Sequence, residues 1–276
     1  MLAKDAVFGS FSLPNRLEYL AYLSRKLSKI KPLIKLAFLV RKPVLHYVAN
    51  GAVDVRVDNV NYRLLPSINL SDKRLLTTPY LLDGEERNFF VTHLPFGALL
   101  VDVGANIGGY TLQLAGARQD LNFVCLEPDP QVAERLIRNI SFNKWSTRIL
   151  VMPIAAGRKK AEMELNLDPE NQGQNSLIEN KNIGLQKITV PIDTLKSIMS
   201  EVELEAPWAL KLDIEGAEYP ALLGFFENCS SKDNWPTWVQ VEQYKNAELN
   251  KAIQYLFKLG YKKVFEGRMN WILKNE

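Results

Sequence analysis

From Leu99 onward, short apolar runs alternate with amphipathic stretches. Residues 99–103 (LLVDV), 122–126 (NFVCL), 149–155 (ILVMPIA), 208–214 (WALKLDI) and 237–241 (TWVQV) read as buried strands. Residues 107–117, 130–143, 217–226 and 249–259 read as helices. Within 130–143, for example, Val132, Leu136, Ile137 and Ile140 fall on one face. Continuous apolar strands separated by helices predict a parallel sheet covered on both faces. The last two strands, 261–266 and 269–273, have too short a link around Gly267 for a parallel crossover, so they form a hairpin. An α/β fold with one antiparallel strand at its C-terminal end follows. Residues 157–195 are too long for a plain connection. Strands at 162–167 and 187–192 around a polar 168–184 suggest a lid or substrate loop.

The N-terminal part has a different pattern. In residues 14–40, Leu17, Leu20, Leu27 and Ile30 recur at helical spacing with basic residues between them, and Pro32 and Pro43 interrupt the segment. Residues 51–65 alternate apolar and polar as two short strands with a turn at Asp58-Asn59. A helix is predicted over 83–92, capped at Asp83. The expected organisation is therefore a basic helical segment with short strands over 1–75 and an α/β domain over 76–276.

Charge sharpens that division. The 276 residues carry a net +3, but residues 1–50 hold nine Lys/Arg against two acids, leaving −4 for the rest. A basic amphipathic helix predicts either packing on the main domain or peripheral contact with an anionic membrane through residues 14–42. The acidic body, without a basic stripe interleaved with aromatics, argues against nucleic acid as a partner. Two cysteines, Cys125 and Cys229, are too few for a disulfide framework, and two histidines leave little material for a Ser-His-Asp triad. No run approaches the roughly 20 apolar residues that span a bilayer. No signal-peptide pattern is present, so a cytoplasmic or membrane-peripheral location is expected.

Ligands of such sheets bind beyond the carboxyl ends of the strands. After the first strand comes Asp102-Val103-Gly104-Ala105-Asn106-Ile107-Gly108-Gly109, a glycine-rich turn at a helix start. Asn106 replaces the middle glycine of a dinucleotide fingerprint, which disfavours a pyrophosphate. Asp102 suits an ammonium group. Glu127, at the end of the next strand, suits two ribose hydroxyls. An amino acid joined to a ribose describes S-adenosylmethionine.

Four motifs then carry a resemblance: Asp102 to Thr111 (DVGANIGGYT), Glu127-Pro128-Asp129-Pro130, residues 190–195 (VPIDTL) and residues 211–218 (KLDIEGAE). In this order they resemble the FkbM-type S-adenosylmethionine-dependent methyltransferases over roughly residues 80–245. The resemblance implies a class I methyltransferase fold, a Rossmann-like seven-stranded sheet with its last strand antiparallel. It also implies O-methylation of a hydroxyl on a sugar, glycan or polyketide-type acceptor.

Asp102 and the turn from Gly104 to Gly108 are expected to hold the methionine end, with Asn106 and Thr111 as polar contacts. Glu127 and Pro128 are expected at the ribose, and Ile154 and Ala155 at the adenine. Ser176 lies in a stretch similar to one in the family and is a further contact to cofactor or acceptor. An alcohol's proton needs a base or a metal. Asp213 is the leading candidate with Glu242 as its partner, and Glu215 and Glu218 stand beside them. Either one carboxyl has a raised pKa and acts as base, or a divalent cation binds among them. Glu215 and Glu218 have a plainer role available, since acids stabilise the first turn of a helix. The competing reading is a non-catalytic module of the same fold that docks through its basic helix.

Overall fold

A computed structural model describes residues 6–49, 51–167, 186–202, 207–243 and 251–275. Ser176 and the rest of 168–185 lie outside the described residues. The chain opens with α1 (Asn15–Ser28), a turn of 3₁₀ helix, α2 (Ile34–Val40) and α3 (Lys42–Tyr47). The helical segment over 14–40 is divided, with the interruptions falling near Pro32 and Pro43. Pro32 and Pro43 sit in the first turns of new helices, where a missing N–H costs nothing. The hairpin β1 (Val53–Val57) and β2 (Val60–Leu64) turns through Asp58 and Asn59, at φ 46° and 72°. Two successive positive φ values match the twist of the flanking strands.

Next come α4 (Leu70–Thr77), α5 (Gly84–His93), β3 (Leu99–Val103), α6 (Gly109–Ala117), β4 (Asn122–Leu126), α7 (Pro130–Phe142) and β5 (Ile149–Met152). Residues 149–155, read from sequence as one strand, are two. Pro153 has no N–H to donate, and β6 (Ala155–Gly157) leaves for a second sheet. There it pairs with β8 (Gln186–Thr194), which runs antiparallel to β7 (Ala161–Leu167). The excursion therefore contains the two strands its alternation predicted. The chain continues with α8 (Leu195–Met199), β9 (Trp208–Leu212), α9 (Glu218–Phe226), β10 (Trp238–Glu242), α10 (Lys251–Lys258), β11 (Lys262–Glu266) and β12 (Asn270–Lys274).

The main sheet has seven strands in the order β11-β12-β10-β9-β3-β4-β5. β12 is antiparallel to both its neighbours, and the described pairings among β10, β9, β3, β4 and β5 are parallel. Alternation along each strand divides the core. Leu100, Phe123 and Ala209 face a cluster that includes Val57, Tyr62, Leu64 and Leu112, while Val101, Val124 and Leu210 face one that includes Leu222 and Phe225. The N-terminal hairpin therefore shares its core with the sheet, and α4 runs across the 75/76 boundary expected from sequence. Chain order reverses between β3 and β9, which opens a crevice at their carboxyl ends.

Candidate active site

A cavity of about 470 Å³ lies at this crevice. The turn after β3 forms one wall. Gly104 sits at φ +80°, and a Cβ there would stand 2.0 Å from the Asp213 carbonyl oxygen of the adjacent strand. Its N–H and that of Ala105 both donate to the Leu126 carbonyl, at 2.9 and 3.0 Å. Only glycine permits so close a crossing. Asn106 follows at φ 51°, and Gly108 at φ +88° starts α6 against Leu136.

Glu127 projects into the cavity and is almost wholly buried. Its Oε2 accepts from the Asn106 N–H at 2.9 Å, and its Oε1 from the Asp129 N–H at 3.0 Å. Burial pushes its carboxyl up to about 7, against the pull of those two donors. Asp129 in turn caps α7 by accepting from Gln131 N–H at 2.8 Å. Pro128, Ile154 and Ala155 also line the cavity.

Across from Glu127 lie Asp213, Glu215 and Glu242, all three in the lining. Glu215 (φ 52°) and Gly216 (φ 100°) make a tight turn. Glu218 holds that turn by accepting from the Ile214 and Gly216 N–H groups at 3.0 and 3.2 Å, a structural role. Glu215 is pushed up to about 7, first by burial and then by the charges of Asp213, Glu242 and Glu218. Among the described residues, no three His, Cys, Asp or Glu side chains form a group able to hold a metal ion, so the expected divalent cation gains no support here.

Asp102 is not in the lining. It points to the same side of β3 as Leu100, under α6, and is fully buried. Its Oδ1 accepts from Lys211 Nζ at 2.9 Å and its Oδ2 from Thr111 Oγ1 at 2.7 Å. Asp102, Lys211, Gln240 and Cys125 share one register across β3, β9, β10 and β4. Tyr110 closes this polar rung, donating to Gln240 Oε1 at 2.6 Å and placing its ring 5.2 Å from the Lys211 ammonium. Burial alone would lower the Lys211 ammonium, but Asp102, Asp213 and Asp83 outweigh it and hold the group above its usual value. Asp102 and Thr111 thus brace the sheet beneath the cavity, whereas a cofactor contact was expected. Gly108 likewise acts through the helix start.

The structure adds residues that the sequence reading did not place here. Asp83 was expected to cap α5. Instead its backbone is left-handed at φ 49°, its side chain makes no cap, and its Oδ1 accepts from Asn270 Nδ2 at 3.0 Å. It lines the cavity, and burial with the charge of Asp213 raises its carboxyl. Ser71, Arg74 and Arg268 line it too. Asn69 caps α4 through its Oδ1 and donates from Nδ2 to the Asn106 side chain at 3.0 Å, which ties α4 to the glycine turn. The Asp83-Gly84 dipeptide was a turn signal available in sequence, but nothing local marks Arg74 or Arg268.

The model of the methyltransferase FkbM domain matches residues 102–263. Methyltransferase sdnD of Sordaria araneosa is 25% identical over 165 residues, covering 50% of this chain and 64% of that protein. Methyltransferase 1 of Beauveria bassiana is 24% identical over 182 residues, covering 55% of this chain and 73% of that protein. Among solved structures, the human methyltransferase 10 domain containing protein aligns with a TM-score of 0.44 and 16% identity, over 76% of this chain and 88% of that one.

Proposed function

Since the chain belongs to the methyltransferase FkbM domain family, we propose that it is an S-adenosylmethionine-dependent O-methyltransferase acting on a hydroxyl of a sugar, glycan or polyketide-type acceptor. The observation that carries this reading is the pairing, in one cavity, of a buried Glu127 beside a glycine turn with three carboxylates opposite. The residues fit the cofactor. Glu127 is an acceptor pair for ribose hydroxyls, and the Gly104 backbone leaves the space that a side chain would fill. When bound, the cofactor supplies an electrophilic methyl group on a positively charged sulfur. The protein's task is to align the acceptor oxygen with that methyl and take the proton the oxygen must lose. Glu215, pushed up to about 7 first by burial and then by the charges of Asp213, Glu242 and Glu218, is matched to accept a proton at neutral pH. With the cofactor in place, Glu215 would take the proton from the acceptor hydroxyl, while the methyl–sulfur bond would break and leave the sulfur as a neutral thioether.

Calorimetry with S-adenosylmethionine tests the cofactor half. The wild type binds, and Glu127→Ala weakens binding by roughly 10–100-fold, as loss of charge-assisted hydrogen bonds implies. A wild type that binds neither S-adenosylmethionine nor its demethylated product ends the proposal.

A second reading makes docking the chain's role. On α2, Ala37 is buried and the opposite face is exposed, with Leu36, Phe38 and Leu39 at 46%, 37% and 57% exposure around Lys35. Exposed apolar side chains among lysines suit an anionic lipid surface. Co-sedimentation with phosphatidylserine vesicles, weakened by salt and by a Leu36→Ser/Leu39→Ser pair, supports docking; equal pelleting with and without anionic lipid removes it.

A further inference from the structure

The cavity has a floor and a roof of different origin. Its floor comes from strand ends inside the family-matched span, where Glu127, Asp213, Glu215 and Glu242 supply negative charge. Lys211, the floor's cation among the described residues, is already committed to Asp102 at 2.9 Å and Asp213 at 3.6 Å. The roof comes from outside that span: Ser71 and Arg74 on α4, Asp83 ahead of α5, and Arg268 and Asn270 around the β11–β12 turn.

Among the described residues, Arg74 and Arg268 are the guanidinium groups in the lining. Arg74 is half-buried, and neither it nor Arg268 makes an ion pair among the described residues. Among the described residues, Arg268 donates one long bond, 3.4 Å, to the Leu81 carbonyl. Burial and the positive charge of Arg268 push Arg74 below its usual value, and Asp83 offsets this in part. Arg74, partly withdrawn from water without an acid on its fork, recovers only part of its lost hydration from the charge of Asp83. Two guanidinium groups lining one cavity repel each other as well. A bound anion cancels both costs at once, and the planar fork fits carboxylate or phosphate oxygens two at a time.

We propose that Arg74 and Arg268 form an oxyanion subsite in the roof of the cavity, taking a carboxylate or phosphate group from one of the bound reactants. The anion has two sources, the α-carboxylate of the cofactor or an acidic group on the acceptor. The second would make the acceptor an anionic hydroxy compound. The proposal rests on the methyltransferase reading only for which molecule brings the anion. Asp102, expected at the cofactor's ammonium, is buried in the rung; the arginines would serve the carboxylate of the same amino acid end and leave the ammonium to other groups.

Calorimetry separates the sources. S-adenosylhomocysteine carries the carboxylate, 5′-methylthioadenosine lacks it, and inorganic pyrophosphate serves as the anion probe on homocysteine-nucleoside-saturated protein. If the anion is the cofactor's, Arg74→Gln or Arg268→Gln weakens S-adenosylhomocysteine by roughly 10-fold or more. Methylthioadenosine affinity then stays unchanged, which also shows that the pocket is folded. If it is the acceptor's, both nucleosides bind the variants as they bind wild type, while pyrophosphate binds the saturated wild type and loses affinity in both variants. Arg74→Lys keeps part of either effect, having the charge without the fork. Unchanged nucleoside binding together with pyrophosphate binding that is absent, or equal in wild type and variants, overturns the subsite. Wild-type protein that binds neither nucleoside defeats the methyltransferase reading instead, and pyrophosphate alone then still tests the arginines.

Discussion

Two tiers of carboxylates lie toward the carboxyl edge of the same sheet, and they have opposite fates. In the lower tier, Asp102 faces the helix side, is fully buried and is bonded to Lys211 and Thr111. In the upper tier, Glu127 and Glu215 face the cavity with carboxyls pushed up to about 7. The lower acid has a cation of its own. Burial outweighs the N–H bonds that Glu127 receives, and Glu215 has other acids beside it. A carboxylate satisfied within the protein is a brace, and one left short of compensation is available for a ligand or a proton.

The strongest way to break this contrast is to remove the lower tier's cation. Lys211→Met leaves Asp102 buried with one hydroxyl donor, and should cost about 3–5 kcal/mol in a chemical denaturation experiment. The double change with Asp102→Leu should recover much of that loss, since an apolar pair of similar volume replaces the charged one. Survival of the single variant at full stability would show that the rung is not a brace.

A smaller effect sharpens the upper tier. Glu215 holds its proton more tightly folded than unfolded. Its contribution to stability is therefore present below about pH 4.5 and is lost as pH rises through about 7. Glu215→Gln should flatten the stability profile across that window. In the wild type, methyl transfer should rise with pH and level off above about 7, as the carboxylate form accumulates. A pH–rate profile that keeps its shape in Glu215→Gln would assign the proton to another group.

The smallest effect is expected in the roof. Arg268 is exposed and makes one long bond, so Arg268→Gln should shift stability by no more than about 0.5 kcal/mol, whatever it does to ligands. A larger loss in thermal unfolding would mean that the β11–β12 turn depends on this side chain for its fold.

The two tiers also differ in how far they can be read from sequence. The strand–turn–helix rhythm is visible because each apolar run and each turn is a local pattern. Gly104 announces the crossing of two backbones, Gly108 the left-handed start of α6, and Asp58-Asn59 the hairpin. Glu127 follows from its place at a strand end. The fate of Asp102 is less visible, because alternation alone decides which side of β3 it faces and the partner lysine is 109 positions away. Asp83 misled for a related reason: as the residue before a helix it looks like a cap, but Asn270 draws its side chain to the cavity. Pro153 was the local signal that the apolar run 149–155, read as one strand, had to become two. The roof depends on contacts between distant segments, such as Asn69 with Asn106. These leave no mark in any short window.

The placement of β12 bears on biosynthesis. It is made after β11 yet lies between β11 and β10. While a nascent chain has reached only β11, that strand has no neighbour to pair with, and the Val239 to Val241 stretch of β10 presents an apolar, unpaired edge. Asn270, which lines the cavity and engages Asp83, emerges last among the residues around the crevice. Translation must therefore pass residue 270 before the crevice can close, and a ribosome stalled short of it would display a sticky ribbon for chaperones to shield.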